Sequence, residues 1–139
     1  IEGLIDLALG KQGVVEKMAV DEEDGKPSKT RWRVLARTGK VASWMGLMPL
    51  TGRTHQLRVH TALIGCPILG DGKYGGKEAH PAGAPKGLVL HARELDLPGA
   101  GRRRLRLTAE PPPPFKAALR WLGLYDPELP GATLDEWGD

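Results

Sequence analysis

The sequence predicts an α+β architecture: a mixed, mainly antiparallel sheet with a buried central helix and a C-terminal helix. Three patterns carry that expectation. Between Thr30 and Leu47, apolar Trp32 and Val34 alternate with Arg31 and Arg33, the chain breaks at Thr38-Gly39-Lys40, and Val41, Trp44 and Leu47 bring it back as a partner strand. From Thr51 to Ile64 the periodicity becomes helical. Phe115, Ala118, Leu119 and Leu122 then recur at i, i+3, i+4 and i+7, the stripe of an amphipathic helix. A chain of 139 residues suffices for one core and is too short for two. Residues 1–125 are expected to form one unit and 126–139 a tail.

Taken in order, Ile1 to Leu9 alternates loosely and stops at Gly10-Lys11-Gln12-Gly13, which suits an edge strand and a turn. Val14 to Val20 reads as a second short strand ahead of the acidic turn from Asp21 to Gly25. The hairpin follows, with Arg31 and Arg33 giving its first strand a wet, basic face. Pro49 ends the pairing, and Thr51 is placed to cap the helix, its hydroxyl accepting from an N–H that lacks an intrahelical partner. Lys77 to Lys86, broken by Pro81, Gly83 and Pro85, is a loop. Leu88 to Leu97 opens with a continuous apolar run, which places it at the centre of the sheet. Arg103 to Ala109 alternates Arg, Leu and Thr as its outer partner. Pro111 to Pro114 make a rigid connector to the last helix, where proline is tolerated at the first turn.

The densest segment is Met48 to Gly76, whose helix gathers Arg53, His55, Gln56, Arg58 and His60. At about 100° per residue, Leu57 and Ile64 fall on one side and Val59, Ala62 and Leu63 on the opposite one. Apolar groups on two opposed sides predict a helix sandwiched between packed layers. Two polar stripes run between them, one of Thr54, Arg58 and Thr61, the other of Arg53, Gln56 and His60. A guanidinium so placed needs a partner, because an unpaired buried charge is very costly. Arg58 should therefore meet a phosphate, or a carboxylate in a structural bridge. His60 is expected to be a satisfied buried histidine, and Asp71, set in Gly70-Asp71-Gly72, a turn residue.

Twenty Lys and Arg against seventeen Asp and Glu leave a net charge of +3. Arg31 to Arg58 contains five Arg and one Lys with no acid, and Arg102-Arg103-Arg104 with Arg106 forms a second basic knot. The acids gather at Asp21 to Asp24 and in the tail. Such blocks are the footprint of an RNA partner, or else simply solvated faces. The single cysteine, Cys66, excludes an internal disulfide and suits a reducing, cytoplasmic setting. His55 and His60 share no helix face and no Cys pair accompanies them, so no metal is expected. No apolar run is long enough to span a bilayer, so no membrane partner is expected. A phosphate-binding loop at Gly70 to Gly76 is disfavoured, because neither Gly-x-x-x-x-Gly-Lys-Ser/Thr nor Gly-x-Gly-x-x-Gly occurs in a strand–helix setting.

The order of these pieces resembles the RluA-type pseudouridine synthases. Thr51-Gly52-Arg53-Thr54-His55-Gln56-Leu57-Arg58-Val59-His60 is similar to that family's signature helix. Gly65 with Pro67, Gly70-Asp71 and Tyr74-Gly75 match the segment that follows it. Leu90-His91-Ala92 matches the later central strand, Pro113 with Phe115 the closing element, and Gly25-Lys26-Pro27 with Thr30 the strand entry. Cys66 departs from the pattern, since the resemblance leads to the expectation of a His there. The likeness runs from about Ile1 to about Leu122.

The resemblance implies an isomerase that converts uridines in structured RNA, ribosomal RNA foremost, to pseudouridine as a monomer, with no metal and no organic cofactor. It also implies an Asp, within an Arg-Leu-Asp segment, that attacks a flipped-out nucleotide, and a Tyr that stacks on the base. No Arg-Leu-Asp triplet occurs in this sequence. The chain, which starts at Ile1 in strand-like sequence, is thus expected to be an excised C-terminal part of the catalytic domain, inactive alone. By match to the signature, Arg58 is the catalytic-site residue that pairs with the absent Asp, its guanidinium keeping that carboxylate ionised and oriented. Arg53, Thr54, His55 and Gln56 at the helix start are expected to bind RNA phosphates, aided by the helix dipole. Leu90 either touches the target base or sits in the core. The alternative is a non-catalytic RNA-binding module built on the same basic helix.

Overall fold

The hairpin read from the Trp32 and Val34 alternation is the backbone of the fold. The computed structural model describes residues 1–12, 17–99, 101, 103–127 and 134–137. Within them, β1 (Glu2–Asp6), β2 (Leu9–Lys11), β3 (Met18–Val20), β4 (Lys29–Thr38) and β5 (Ala42–Pro49) precede α1 (Gln56–Leu63) and the one-turn α2 (Gly72–Gly75). After these come β6 (Glu94–Pro98), β7 (Arg104–Thr108) and α3 (Pro113–Trp121), and short 3-10 turns lie at Gly76–Ala79 and Leu134–Glu136. Strands β4 and β5 pair antiparallel from Thr30↔Pro49 to Thr38↔Ala42, with a register shift between Val34 and Ala36. Gly39 supplies the positive φ of the tight turn between them. β1 lines the other edge of β4, so the sheet order is β1-β4-β5.

The N-terminal edge strand divides in two. Asp6 ends β1, and Leu9–Lys11 pairs instead with Met18–Val20, the described part of the strand expected over Val14 to Val20; Val14 to Glu16, like Gly13 of the expected turn, lie outside the described residues. Leu9 and Met18 of this small hairpin meet Val59 of α1 in the apolar core, with Tyr74 packed against them. At the other end, α3 buries Ala118 and Leu119, as its stripe predicts, and begins on Pro113 and Pro114. Thr38 Oγ1 donates to the Leu122 carbonyl at 2.6 Å, tying that helix to the sheet. Within the stretch read as tail, Trp137 is buried against the hairpin, where a Cβ on Gly46 would lie 2.9 Å from its ring. Residues 128–133 and 138–139 of that tail lie outside the described residues.

Three expectations are corrected. Leu88 to Leu97 is no central strand: only Glu94–Pro98 is paired, with β7, in a separate two-stranded ribbon. The preceding run is held by single contacts instead, Val89 N–H to the Leu69 carbonyl at 2.9 Å among them, and Leu88 and Leu90 stay exposed. The central helix is not sandwiched. Its single buried face is Gln56, Val59, His60 and Thr61, Val59 packing on Leu9 and Met18 while Gln56 and His60 hydrogen-bond to Thr30 and Leu7, and Leu63 and Ile64 are exposed. The basic face of β4 is not simply wet. Arg31 donates to the Trp137 carbonyl, Arg33 pairs with Glu2, and both guanidinium groups lie over the Trp137 ring. Of the second basic knot, Arg104 and Arg106 bond Asp96, and Arg102 lies outside the described residues.

Candidate active site

Helix α1 starts five residues later than its expected cap. Thr51 is occupied elsewhere: its hydroxyl accepts from Lys29 N–H at 3.0 Å and donates to Gln56 Oε1 at 2.6 Å. The N-cap position is His55, whose backbone is left-handed at φ 53°, and its side chain makes no capping bond. It is the only non-glycine residue with positive φ among the described residues. Such a conformation persists only where the surroundings over-determine it.

The first determinant is Gln56. Its Oε1 also accepts from Arg53 N–H at 3.1 Å, and its Nε2 donates to the Lys29 carbonyl at 2.9 Å and to Thr30 Oγ1 at 3.0 Å. All four bonding directions of the amide are thus spent inside the protein. Gln56 is 4% exposed, which corrects its assignment to RNA phosphates: it is a rivet between the signature turn and β4. The chain of bonds continues. Thr30 Oγ1 lies 2.8 Å from His60 Nδ1, and His60 Nε2 lies 2.9 Å from the Leu7 carbonyl. A carbonyl only accepts, so Nε2 carries the proton and Nδ1 receives the Thr30 hydroxyl. His60 is the satisfied buried histidine of the sequence reading.

The second determinant is Tyr74. Its hydroxyl accepts from Met18 N–H at 3.1 Å and is hydrogen-bonded to His55 Nδ1 at 2.7 Å. The two rings meet edge to face, 5.6 Å between centroids. Tyr74 itself is set by α2, which Asp71 caps: Asp71 Oδ1 accepts from Tyr74 N–H at 3.3 Å.

Asp71 also resolves the pairing of Arg58. Arg58 Nε donates to Asp71 Oδ2 at 3.1 Å and Nη2 to Oδ1 at 2.8 Å, a two-pronged ion pair. The Asp71 side chain is 0% exposed and that of Arg58 21%. Asp71 is therefore more than a turn residue, and the carboxylate that meets Arg58 here comes from within the chain. The signals for it were the charge-balance argument and the position of Asp71, 13 residues past Arg58. Arg58 titrates above its usual range because of this hydrogen bond. Burial pushes the Asp71 carboxyl up, but the bonds from Arg58 and from the Tyr74 backbone outweigh it and hold it low. The guanidinium also lies 5.2 Å from the Tyr74 ring centroid.

Thr51, His55, Gln56 and Arg58 of this network border one open cleft of about 330 Å³, lined also by Pro49, Gly52, Arg53, Leu57 and Leu90. The fold thus brings Arg53, His55, Arg58 and the distant Leu90 to one place; Thr54 is exposed and lies off the lining. Arg53 donates from Nε to the Pro27 carbonyl at 3.0 Å. Leu90 reaches the cleft because Gly70, at φ 84°, lets the Gly87 carbonyl come so close that a Cβ would sit 1.9 Å from it. Among the described residues no carboxylate lines the cleft, whose charged side chains are Arg53 and Arg58 and whose aliphatic ones include Leu57 and Leu90. Among the described residues, no group of three or more His, Cys, Asp or Glu is placed to hold a metal, and no helix is long and apolar enough to cross a membrane.

Residues 2–63 match the family described as RNA pseudouridylate synthase. Ribosomal large subunit pseudouridine synthase C of Rickettsia prowazekii (strain Madrid E) is 45% identical over 78 residues, which are 56% of this chain and 25% of the relative. Dual-specificity RNA pseudouridine synthase RluA of Escherichia coli (strain K12) is 43% identical over 97 residues, 69% of this chain and 43% of the relative. The solved structure of human RNA Pseudouridylate Synthase Domain Containing 1 superposes with a TM-score of 0.66 at 32% identity, covering 97% of this chain and 57% of that one. The chain therefore spans about half, or less, of the length of these relatives. Over the residues they share, the chain is similar in sequence and in α+β fold to RNA pseudouridine synthases, those of the RluA type among them.

Proposed function

We propose that the chain carries the arginine-bearing part of an active site that isomerises uridine in RNA to pseudouridine. In that reaction the bond from C1′ to N1 breaks, one from C1′ to C5 forms, and the C5 hydrogen leaves to water while N1 gains a proton. The supporting observation is the cleft at the start of α1, which Arg58 lines together with Leu57 and Leu90 and, among the described residues, without a carboxylate. Aliphatic walls suit a planar base extracted from its stack, and the cationic rim suits the phosphates on either side.

In this reading Arg58 holds the carboxylate of an Arg-Leu-Asp segment, which this sequence lacks. The pair keeps the nucleophile ionised and aimed. Arg53, Thr54 and His55 contact phosphates, and Leu90 touches the base. The substrate is structured RNA, ribosomal RNA foremost, a choice supported by the Rickettsia relative, whose name specifies the large ribosomal subunit. The enzyme acts as a cytoplasmic monomer, residues 1–125 belong to its catalytic domain, and these 139 residues alone turn nothing over.

One observation favours the second reading, a non-catalytic RNA-binding module: Arg58 already has an acidic partner in Asp71. Tritium release from 5-³H-uridine RNA by the natural full-length protein, with mass-spectrometric mapping of pseudouridine in cells lacking its gene, decides between them. Turnover and a missing pseudouridine are expected. RNA binding without either sinks the isomerase reading.

A further inference from the structure

We infer that Asp71 is a positioning residue for Arg58: it grips one edge of the guanidinium so that the opposite edge is presented to the cleft. The inference rests on the proposed isomerase reading and adds to it a residue whose sequence setting suggests only a turn.

The guanidinium is a rigid plane with five donors. Asp71 takes the edge made by Nε and Nη2, at 3.1 and 2.8 Å. Asp71 is fully buried and does not line the cleft, whereas Arg58 does. The edge bearing Nη1 therefore points away from Asp71, the side on which a second acceptor can be met. An arginine side chain has several rotatable bonds and on an open cleft wall would sample many directions. Two parallel bonds to a carboxylate that is itself locked remove that freedom.

Asp71 is locked by independent contacts. Its Oδ1 caps α2 through Tyr74 N–H, its backbone carbonyl accepts from Gly75 N–H at 2.8 Å, and its N–H donates to the Ile68 carbonyl at 3.0 Å. Tyr74, fixed in turn by Met18 and His55, supports the guanidinium from its ring face. Arg58 is thus held from one edge and one face, which leaves the other edge for work. Asp71 also cancels much of the Arg58 charge. What Arg58 then offers an incoming carboxylate is direction more than bulk positive potential, and that distinguishes the device from a lone surface arginine.

The test is a double-mutant cycle on turnover in the natural full-length protein: Arg58→Ala, Asp71→Asn and both together, with kcat and KM for a 5-³H-uridine RNA measured for each. Asn keeps the shape and the cap but sets an N–H₂ against a guanidinium N–H. Asp71→Asn is expected to lower kcat by about 10- to 100-fold, the scale of a misplaced reacting group, with KM nearly unchanged. The double variant is expected to be no slower than Arg58→Ala, because Asp71 acts through Arg58.

Additive losses, or normal kcat in Asp71→Asn, overturn the inference while leaving the isomerase reading intact. Normal kcat in Arg58→Ala, or no turnover in the unsubstituted protein, overturns both. Should Asp71→Asn fail to fold, the Arg58 Nε–H resonance of the unsubstituted protein is the second measurement: slow exchange with water is expected, and exchange as fast as that of a surface arginine overturns the inference.

Discussion

Two regions of this molecule solve opposite problems. Around α1 the buried side chains are largely polar, Gln56, His60, Thr61 and Asp71, and no buried side-chain nitrogen or oxygen among the described residues lacks a partner. In the β6–β7 ribbon the charged face is paired, Asp96 with Arg104 and Arg106, while Leu95, Leu97, Leu105 and Leu107 on the other face remain 40% to 50% exposed. The first region is specified by directional bonds, so the loss of one atom strands several others. The second is specified by its ladder and by cross-strand pairs, so a changed side chain stays a local event. The signature segment lies in the first kind of region, where geometry is dictated atom by atom.

The comparison is open to breaking. The largest effect should come from Arg58→Ala in the full-length protein: turnover is expected to fall by about 10²-fold or more, with RNA affinity changed modestly, by tritium release and filter binding. Near-normal turnover removes Arg58 from the site. Next, His60→Leu leaves the Leu7 carbonyl without its His60 donor and the Thr30 hydroxyl proton without an acceptor, at about 1–3 kcal/mol for a buried group left unpaired. A thermal melt should show the drop; an unchanged midpoint would mean that water reaches the wire.

Acid supplies the third test. The folded Asp71 carboxyl titrates below its unfolded value of about 3.9. Its contribution is therefore complete above that value and is lost as pH falls through the lower, folded one. Urea unfolding between pH 5 and pH 2 should show a loss that Asp71→Asn does not, about 1.5–3 kcal/mol for a hydrogen-bonded charge. Parallel curves for the two proteins would refute it. The smallest effect belongs to the ribbon: Leu107→Ser should alter stability by no more than about 0.5 kcal/mol in chemical denaturation. A larger loss would show that this leucine face is covered in solution and that the two regions are less different than they look.

The same contrast explains what could be read from the chain beforehand. The hairpin, the place of α1 and the C-terminal helix were legible because each writes a period into its apolar residues. Leu88 to Leu97 misled because a continuous apolar run does not reveal its partner, and here single contacts around Gly70 and Gly87 replace a ladder. The two apolar sides of α1 misled for a related reason: periodicity marks which residues share a face, not what chemistry the opposing layer offers. Thr51 was a sound cap by residue type, yet its hydroxyl is taken by the amide of Gln56, and the N-cap position falls at His55. A partner for Arg58, phosphate or carboxylate, was foreseeable as a necessity, while Asp71 was hidden by a turn motif that serves two purposes.

Gly70 has a consequence for anyone scanning this protein by substitution. It does not border the cleft, carries no functional group, and would pass as a neutral spacer. Any side chain there must thrust against the Gly87 carbonyl and so lever the segment bearing Leu90 outward. A methyl group would then alter the aperture of the site from outside it, and an activity screen would report as a chemical defect what is only a displaced wall.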